Sequence, residues 1–409
     1  MFTSLTKARA LSFAWCIAAT SNVLPAQEQE HPESESSFHR FQEHDNHDHS
    51  PEELLDPESY STWDPSIGLV LDGLATVSEA SGGNADGFDL RTVELSMAHR
   101  IDQYGWAYLV AVYEDDEFAL EEAAIMMDEL PGNFTLRVGK MLTDFGKWNT
   151  LHLSEKNYVF EDGVRSAIFG GNLAGTGLEI HQKFEVGHLP IRWSVGAHSS
   201  FGGEDFESEA LGDHGLDQFG FTGRITTQQA FGHNGWLQYG LSVFHTDEGF
   251  VEQVDTNADG ISDQDFGIGQ STIALDFTLS DVSDDNHTAN TLSVEIWRNQ
   301  RDVINPLNQA IGQDTNGIWG FYQFDFNHRW AAGLQGAWWQ NPQSTLGTDW
   351  FTGAEAGAQQ AAFMTCTLSD HNRLRVQVSQ ERLPGADPNW TLALQWEAIL
   401  GEHRHVLDW

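Results

Sequence analysis

The stretch "NWTLALQWEAIL" (Asn389–Leu400) decides the fold. Every second residue gives Trp390, Leu392, Leu394, Trp396, Ala398 and Leu400, while Thr391, Ala393, Gln395, Glu397 and Ile399 make up the other set. One face is apolar and the other is mostly polar or small. Successive side chains of an extended chain point to opposite faces, so this period of two predicts a β-strand between two unlike surroundings. The open question is whether protein or lipid covers the apolar face.

The same texture recurs from Trp63 onward, in short alternating runs separated by Gly, Asn, Asp and Pro clusters. Leu374, Val376 and Val378 oppose Arg373, Arg375 and Gln377, and Leu292, Val294 and Ile296 oppose Ser293, Glu295 and Trp297. The run "FALEEAAIMMDEL" (118–130) has a composition that also suits a helix. Its flanking turns are too short to let an isolated helix pack elsewhere, so it is read as a strand. The count comes to about sixteen strands, within a range of 12–18, each about nine to thirteen residues long. That is the length a tilted strand needs to cross a bilayer.

The connections alternate in length, apart from two, near Asp115 and Pro384, that are shorter than the pattern wants. Short ones such as "DQYG" (102–105), "LPGN" (130–133), "NHR" (327–329) and "SDHN" (369–372) take turns with long ones. The long ones include 78–87, 141–173, 202–217, 247–265, 301–316 and 341–354. A soluble sandwich has no reason for this rhythm, whereas an outer-membrane barrel has short turns at one end and long loops at the other. The predicted fold is therefore an all-β, antiparallel transmembrane β-barrel over residues 61–409, and the Trp390 row is predicted to face lipid. No run of 18 or more apolar residues follows the N-terminal segment, so a membrane-spanning form has to be a closed barrel. The longest connection, 141–173, is too apolar for a free surface loop and is predicted to fold into the lumen.

Composition narrows the function. The 409 residues hold 20 Lys plus Arg against 61 Asp plus Glu, a net charge of −41, which excludes nucleic acid as a partner. Fifteen Trp are many for a soluble enzyme and suit a membrane–water boundary. The two cysteines, Cys16 and Cys366, make no disulfide framework. Residues 1–26 read as a signal peptide, with Lys7 and Arg9 before the apolar run "ALSFAWCIAAT" and Ala26 as the small residue at cleavage. Residues 27–60 are acidic, rich in His and poor in large apolar side chains, and are expected to be disordered.

Several motifs carry a resemblance. Glu114–Asp116 form an acidic strand end. Leu130 to Gly132 make an inner turn and are followed by Leu136 to Lys140. Phe145, Gly146 and Asn149 open the long loop, and Gly175 to Glu179 begin the next strand. Over residues 88–181 the chain resembles a zinc-regulated family of porin-like outer-membrane proteins, and elsewhere it is similar to general porins in texture. The resemblance implies a barrel of about sixteen strands whose inward loop sets a constriction. Some relatives in that family are known as receptors with a plug domain and about 22 strands, for which 409 residues are too few. The family's loop tends to carry closely spaced histidines, whereas here only His152 stands in "LHLSEKN".

Three sets of candidate site residues follow. By face assignment Arg137, Arg192, Arg224 and Arg375 line the pore, with Glu179, Lys183, Glu295 and Glu397. Glu161 and Asp162 in the loop are expected to oppose the arginines in a transverse field that selects solutes by charge. The plain alternative is ordinary solvated lumen charge. The second set is "DTNADGISDQD": Asp255, Asn257, Asp259, Ile261 (through its carbonyl) and Asp263 fit a calcium loop, although position 12 is Phe266 rather than Glu. A polar outer loop is the alternative. The third set is His31, His39, His44, His47 and His49, which lie among carboxylates in a pattern that suits Zn²⁺. Here a solvated acidic tail is the alternative.

The resulting expectation is a channel in the outer membrane of a diderm bacterium. It would pass small hydrophilic solutes or divalent cations, zinc among them, with no cofactor required, and assemble as a homotrimer. The sequence has no HExxH, GxSxG or phosphate-cradling glycine loop, so no enzyme activity is expected. Two other classes remain open. An outer-membrane lipid hydrolase would need a Ser–His pair at the lipid-facing rim. A secreted β-sandwich that binds glycans would show two stacked sheets.

Overall fold

The computed structural model describes residues 65–79, 87–114, 117–203, 218–232, 234–254, 264–283, 287–304, 310–340 and 356–401. The expected signal peptide, the His-rich segment and the calcium-loop residues 255–263 lie outside the described residues. So do the five histidines between His31 and His49.

Sixteen antiparallel strands follow one another in chain order and close on themselves. They are β1 (Ser66–Ser78), β2 (Gly87–Asp102), β3 (Gly105–Glu114), β4 (Glu117–Leu130), β5 (Phe134–Leu142), β6 (Ala174–Val186), β7 (Leu189–Gly202) and β8 (Gly220–Phe231). The second half comprises β9 (Gly235–Val254), β10 (Gln264–Val282), β11 (Ala289–Ile304), β12 (Ala310–Asn327), β13 (Trp330–Gln340), β14 (Ala356–Ser369), β15 (Asn372–Arg382) and β16 (Asn389–Gly401). Closure runs from Gly68 opposite Gly401 to Ser78 opposite Thr391. A single cylinder excludes the two stacked sheets of a sandwich.

Each sequence-predicted strand is present, including 118–130. β9 to β12 are longer than their alternation suggests. Residues 301–316 were expected to be a loop, yet β11 and β12 keep pairing there, with Asp302 opposite Gly312. The reason is the outward row. It turns polar at Arg298, Gln300, Asp314 and Asn316, all exposed, so the polar–apolar rhythm fades while the backbone ladder continues. Only 255–263 of the expected loop 247–265 lies between β9 and β10.

The exterior is apolar. Leu241, Ile273, Leu275, Ile296, Leu334 and Val378 are exposed around the middle of the wall, with Leu334 61 % accessible. Phe88, Phe118, Trp338 and Trp390 sit toward the long-loop end, and Tyr104, Phe184, Phe326 and Trp396 toward the short-turn end, all exposed. This is an apolar band between two aromatic girdles, the exterior pattern of a membrane barrel. Not every Trp serves the girdles. Trp297, Trp319 and Trp339 turn inward and are buried, as is Trp148 from the long connection.

Residues 143–173, between β5 and β6, carry one short helix, α1 (Gly163–Phe169). Asp162 caps it by accepting from the Val164 and Arg165 amides at 3.1 and 3.0 Å. Gly170 ends it at φ 86°, a left-handed position that glycine adopts without strain. Gly163 lies flat on Trp339: a Cβ there would come within 2.2 Å of the ring. The segment's Phe145, Trp148, Tyr158, Val164, Ile168 and Phe169 pack against Phe201, Phe244, Trp297, Trp319, Phe321, Trp339 and Phe363 of the inner wall. The expected inward loop is thus a packed core inside the barrel.

Leu275 is 53 % accessible on the outer face of β10. Leu275→Arg should destabilise the barrel by about 2–4 kcal/mol, the usual cost of Arg at a bilayer midplane. Urea titration of the protein refolded in liposomes measures this; an unchanged midpoint would mean that the apolar exterior does not face lipid.

Candidate functional site

The root of the inward segment is tied first. The Thr143 amide donates to the Leu173 carbonyl at 2.9 Å. Asn149 Nδ2 donates to the carbonyls of Thr143 and Leu173 at 2.8 and 2.9 Å, and Asn149 Oδ1 accepts from the Leu173 amide at 2.6 Å. One asparagine therefore clamps both ends of the loop's neck.

Four sequence-predicted arginines line the lumen, each already engaged. Arg137 Nη2 reaches Glu179 at 2.6 Å and the Leu142 carbonyl at 2.7 Å. Arg192 bonds Asp144. Arg224 grips Asp276 with two nitrogens, at 2.7 and 3.0 Å. Arg375 donates to Gln395 at 2.7 Å and to the Tyr158 carbonyl at 3.1 Å. Glu179, Glu295 and Glu397 are buried in the lumen as expected, while Lys183 lies exposed near the short-turn end.

Glu161 and Asp162 do not oppose those arginines. Glu161 pairs with Lys156, and Asp162 meets Arg165 Nη1 at 2.7 Å. The reason is local: both carboxylates are within five residues of these cations, and Asp162 is also held by its cap geometry. Burial disfavours the charged form of Glu161, yet Lys156 and Arg165 hold its carboxyl well below the usual range. Both carboxylates are thus matched within the loop instead of across the lumen.

Sequence reasoning missed the residues that pin the loop. Arg165 is fully buried; it joins α1 to Glu295 of β11 and lies over the rings of Trp297 and Trp319 at 5.8 and 5.2 Å. Glu295 also accepts from the Lys147 amide at 2.9 Å. Arg373 donates to the Ser154 carbonyl, and Arg91 to that of Val159. His152 lies between two adjacent carboxylates, with Nδ1 2.8 Å from Glu121 and Nε2 3.1 Å from Glu122. Strict alternation would send one of those glutamates into lipid. A bulge in β4, where Val110 faces Glu122 and Ala111 faces Leu120, turns both inward.

Around His152, burial opposes the imidazolium, but Glu94, Glu121 and Glu122 outweigh it and raise its pKa well above the usual value. Among the described residues no group of three or more His, Cys, Asp and Glu has the arrangement of a metal site.

No protein-family model matches the chain, and no curated protein matches it. Solved structures do. The loop-L8 deletion mutant of OmpT, an outer-membrane protein of Vibrio cholerae, superposes with a TM-score of 0.54 at 10 % identity, over 82 % of this chain and 99 % of that one. OprB of Pseudomonas putida gives 0.53 at 10 % identity, over 82 % and 94 %. An anion-selective porin from Comamonas acidovorans gives 0.52 at 10 % identity, over 82 % and 99 %. The chain has the sixteen-strand barrel fold found in outer-membrane porins.

Because His152 has a higher pKa folded than unfolded, its contribution is complete below about pH 6.5 and is lost as pH rises through the folded value. The protection factors of residues 152–156, taken relative to the base-catalysed rates of the unfolded chain, should therefore fall at alkaline pH. His152→Ala should remove that pH dependence and weaken loop docking by about 3–5 kcal/mol, since it leaves buried carboxylates uncompensated.

Proposed function

We propose that this protein is an outer-membrane channel of a diderm bacterium, passing small hydrophilic solutes down their gradients without covalent chemistry. The observation that carries this reading is a closed barrel, apolar outside, whose charged interior is narrowed by a docked loop and still holds cavities. One cavity, of about 190 Å³, lies between the loop and β1–β4. Filtering is by size and charge. Assembly as a homotrimer is supported by the likeness to OmpT of Vibrio cholerae, which is known in a trimer form. A divalent cation such as zinc as cargo is the finer reading, supported by the histidines of residues 31–49 and by the sequence resemblance.

Purified protein in planar bilayers should give discrete conductance steps, and proteoliposomes should swell faster in small sugars than in large ones. Arg165→Ala, which unpins α1 from Glu295, should raise single-channel conductance by about half or more. A silent bilayer combined with unswollen liposomes rejects the channel.

One observation favours a second reading, a lipid hydrolase. On the outer face, His245 Nδ1 lies 2.8 Å from Ser271 Oγ, and its Nε2 lies 3.2 Å from Asp247. This is a nucleophile, a base and an orienting carboxylate near the long-loop rim. In such a reaction Ser271 would attack an ester carbonyl while His245 takes its proton, the ester C–O bond would break with that proton passing to the departing alcohol, and water, deprotonated by His245, would then cleave the acyl-serine to a free fatty acid and restore Ser271. Fatty-acid release from detergent-solubilised phospholipid, lost in Ser271→Ala, would support the hydrolase; no release from the wild type excludes it.

A further inference from the structure

The loop does not fill the lumen evenly. Its aromatic side packs on wall residues from β7, β9 and β11–β14, from Phe201 to Phe363. No residue of β1–β4, β15 or β16 belongs to that cluster. The space that remains is on the opposite side. The 190 Å³ cavity is walled there by Asp72, Glu94, Glu114 and Glu121 from β1–β4, facing His152 and Glu161 of the loop. A smaller cavity of about 40 Å³ is lined by Asn157 of the loop with Asp325, Arg329, Arg373 and Arg375 of the wall. The segment from Ser154 to Val159 is hydrogen-bonded to this same side, its carbonyls accepting from Arg373, Arg375 and Arg91.

The charge of the larger cavity is one-sided. Five carboxylates line it; Glu161 is matched by Lys156 and Arg165, which leaves Asp72, Glu94, Glu114 and Glu121 against one guanidinium, Arg91, and one imidazole, His152. The smaller cavity has the opposite balance, Arg329, Arg373 and Arg375 against Asp325, although Arg373 is matched by both oxygens of Glu397 at 2.7 Å. Selection is therefore assigned to the larger cavity alone. A second observation points to a cationic visitor. Asp72 is only 2 % accessible, and its Oδ2 accepts from Arg91 and Gln395. Its Oδ1, buried at the cavity, has no hydrogen-bond partner among the described residues. A buried carboxylate oxygen left unmatched is costly unless something fills its lone pairs, and a hydrated cation or an organic ammonium does so.

We infer that solutes pass along the β15–β16–β1–β4 side of the lumen, and that the cavity at Asp72, Glu94 and Glu114 selects cations, inorganic or organic ammonium. The inference rests on the channel reading above. A cleft lined by one sign of charge between low-dielectric walls concentrates counter-ions and excludes co-ions.

The test is the reversal potential of the full-length protein in planar bilayers under a potassium chloride gradient. Wild type should favour K⁺ over Cl⁻. Glu94→Gln combined with Glu114→Gln should cut that preference by about half or more. Asp314→Asn removes a carboxylate paired with Arg298 on the exposed outer face and should leave it unchanged. Glu114→Gln alone, a change at a partly exposed strand end, provides a milder variant if the double one does not fold. A conducting but unselective or anion-preferring wild type overturns the inference while the channel stands, as does a preference that survives neutralisation. Absence of any conductance rejects the channel itself.

Discussion

The whole molecule depends on one backbone constraint, the antiparallel seam between β1 and β16 from Gly68–Gly401 to Ser78–Thr391. Hydrocarbon offers no partner to an N–H or C=O, so an open sheet edge in a membrane leaves a row of unsatisfied groups, each costing several kcal/mol. Closure removes the edge. Once the sheet is a cylinder, alternate residues have no choice of face, and the Leu275 and Trp390 rows point outward because Ala274 and Ala393 meet the lumen. The apolar outside and polar inside are consequences of the seam.

The lumen then poses a second problem, since a cylinder of this circumference is not filled by its own side chains. The loop between β5 and β6 supplies the missing matter. It fills one side of the lumen with rings, Trp148 against Trp319 and Phe321 among them. It secures the other side with ions and carbonyls. Removing either partner of a buried pair such as Arg165–Glu295 strands a charge, so these contacts act more as a lock on loop position than as a source of net stability. The contrast between a greasy wall and an acidic one leaves the remaining space asymmetric.

Much of this was legible in the sequence, and the boundary of legibility is physical. The strand rows read clearly wherever one face meets lipid, as in Leu374, Val376 and Val378. They faded in β11 and β12, where the outward row turns polar at Arg298, Gln300 and Asp314. The inward course of 141–173 followed from its apolar content, and the inward arginines from their parity. Their partners did not follow, because parity names a face and not a neighbour across the lumen. Glu161 was assigned to distant arginines although Lys156 and Arg165 lie close by in the chain. A bulge hid the second inward glutamate of β4. One signal was available: Trp297, Trp319, Phe321, Trp339 and Phe363 share the parity of polar neighbours, and aromatic rings in a water-facing row call for an apolar cover.

The position of the loop's partners along the chain also bears on how the molecule is made. Ser154 is clasped by Arg373, 219 residues later, and Val159 by Gln377, 218 residues later. Pairings at such separation form only after the intervening chain is arranged. The plug is synthesised in the first half of the protein, yet the penultimate strand holds its clasps. Its early ties are to β2 and β4, through Arg91, Glu121 and Glu122, but its seating is complete only when β15 arrives, so the last clasps close as the wall itself is sealed.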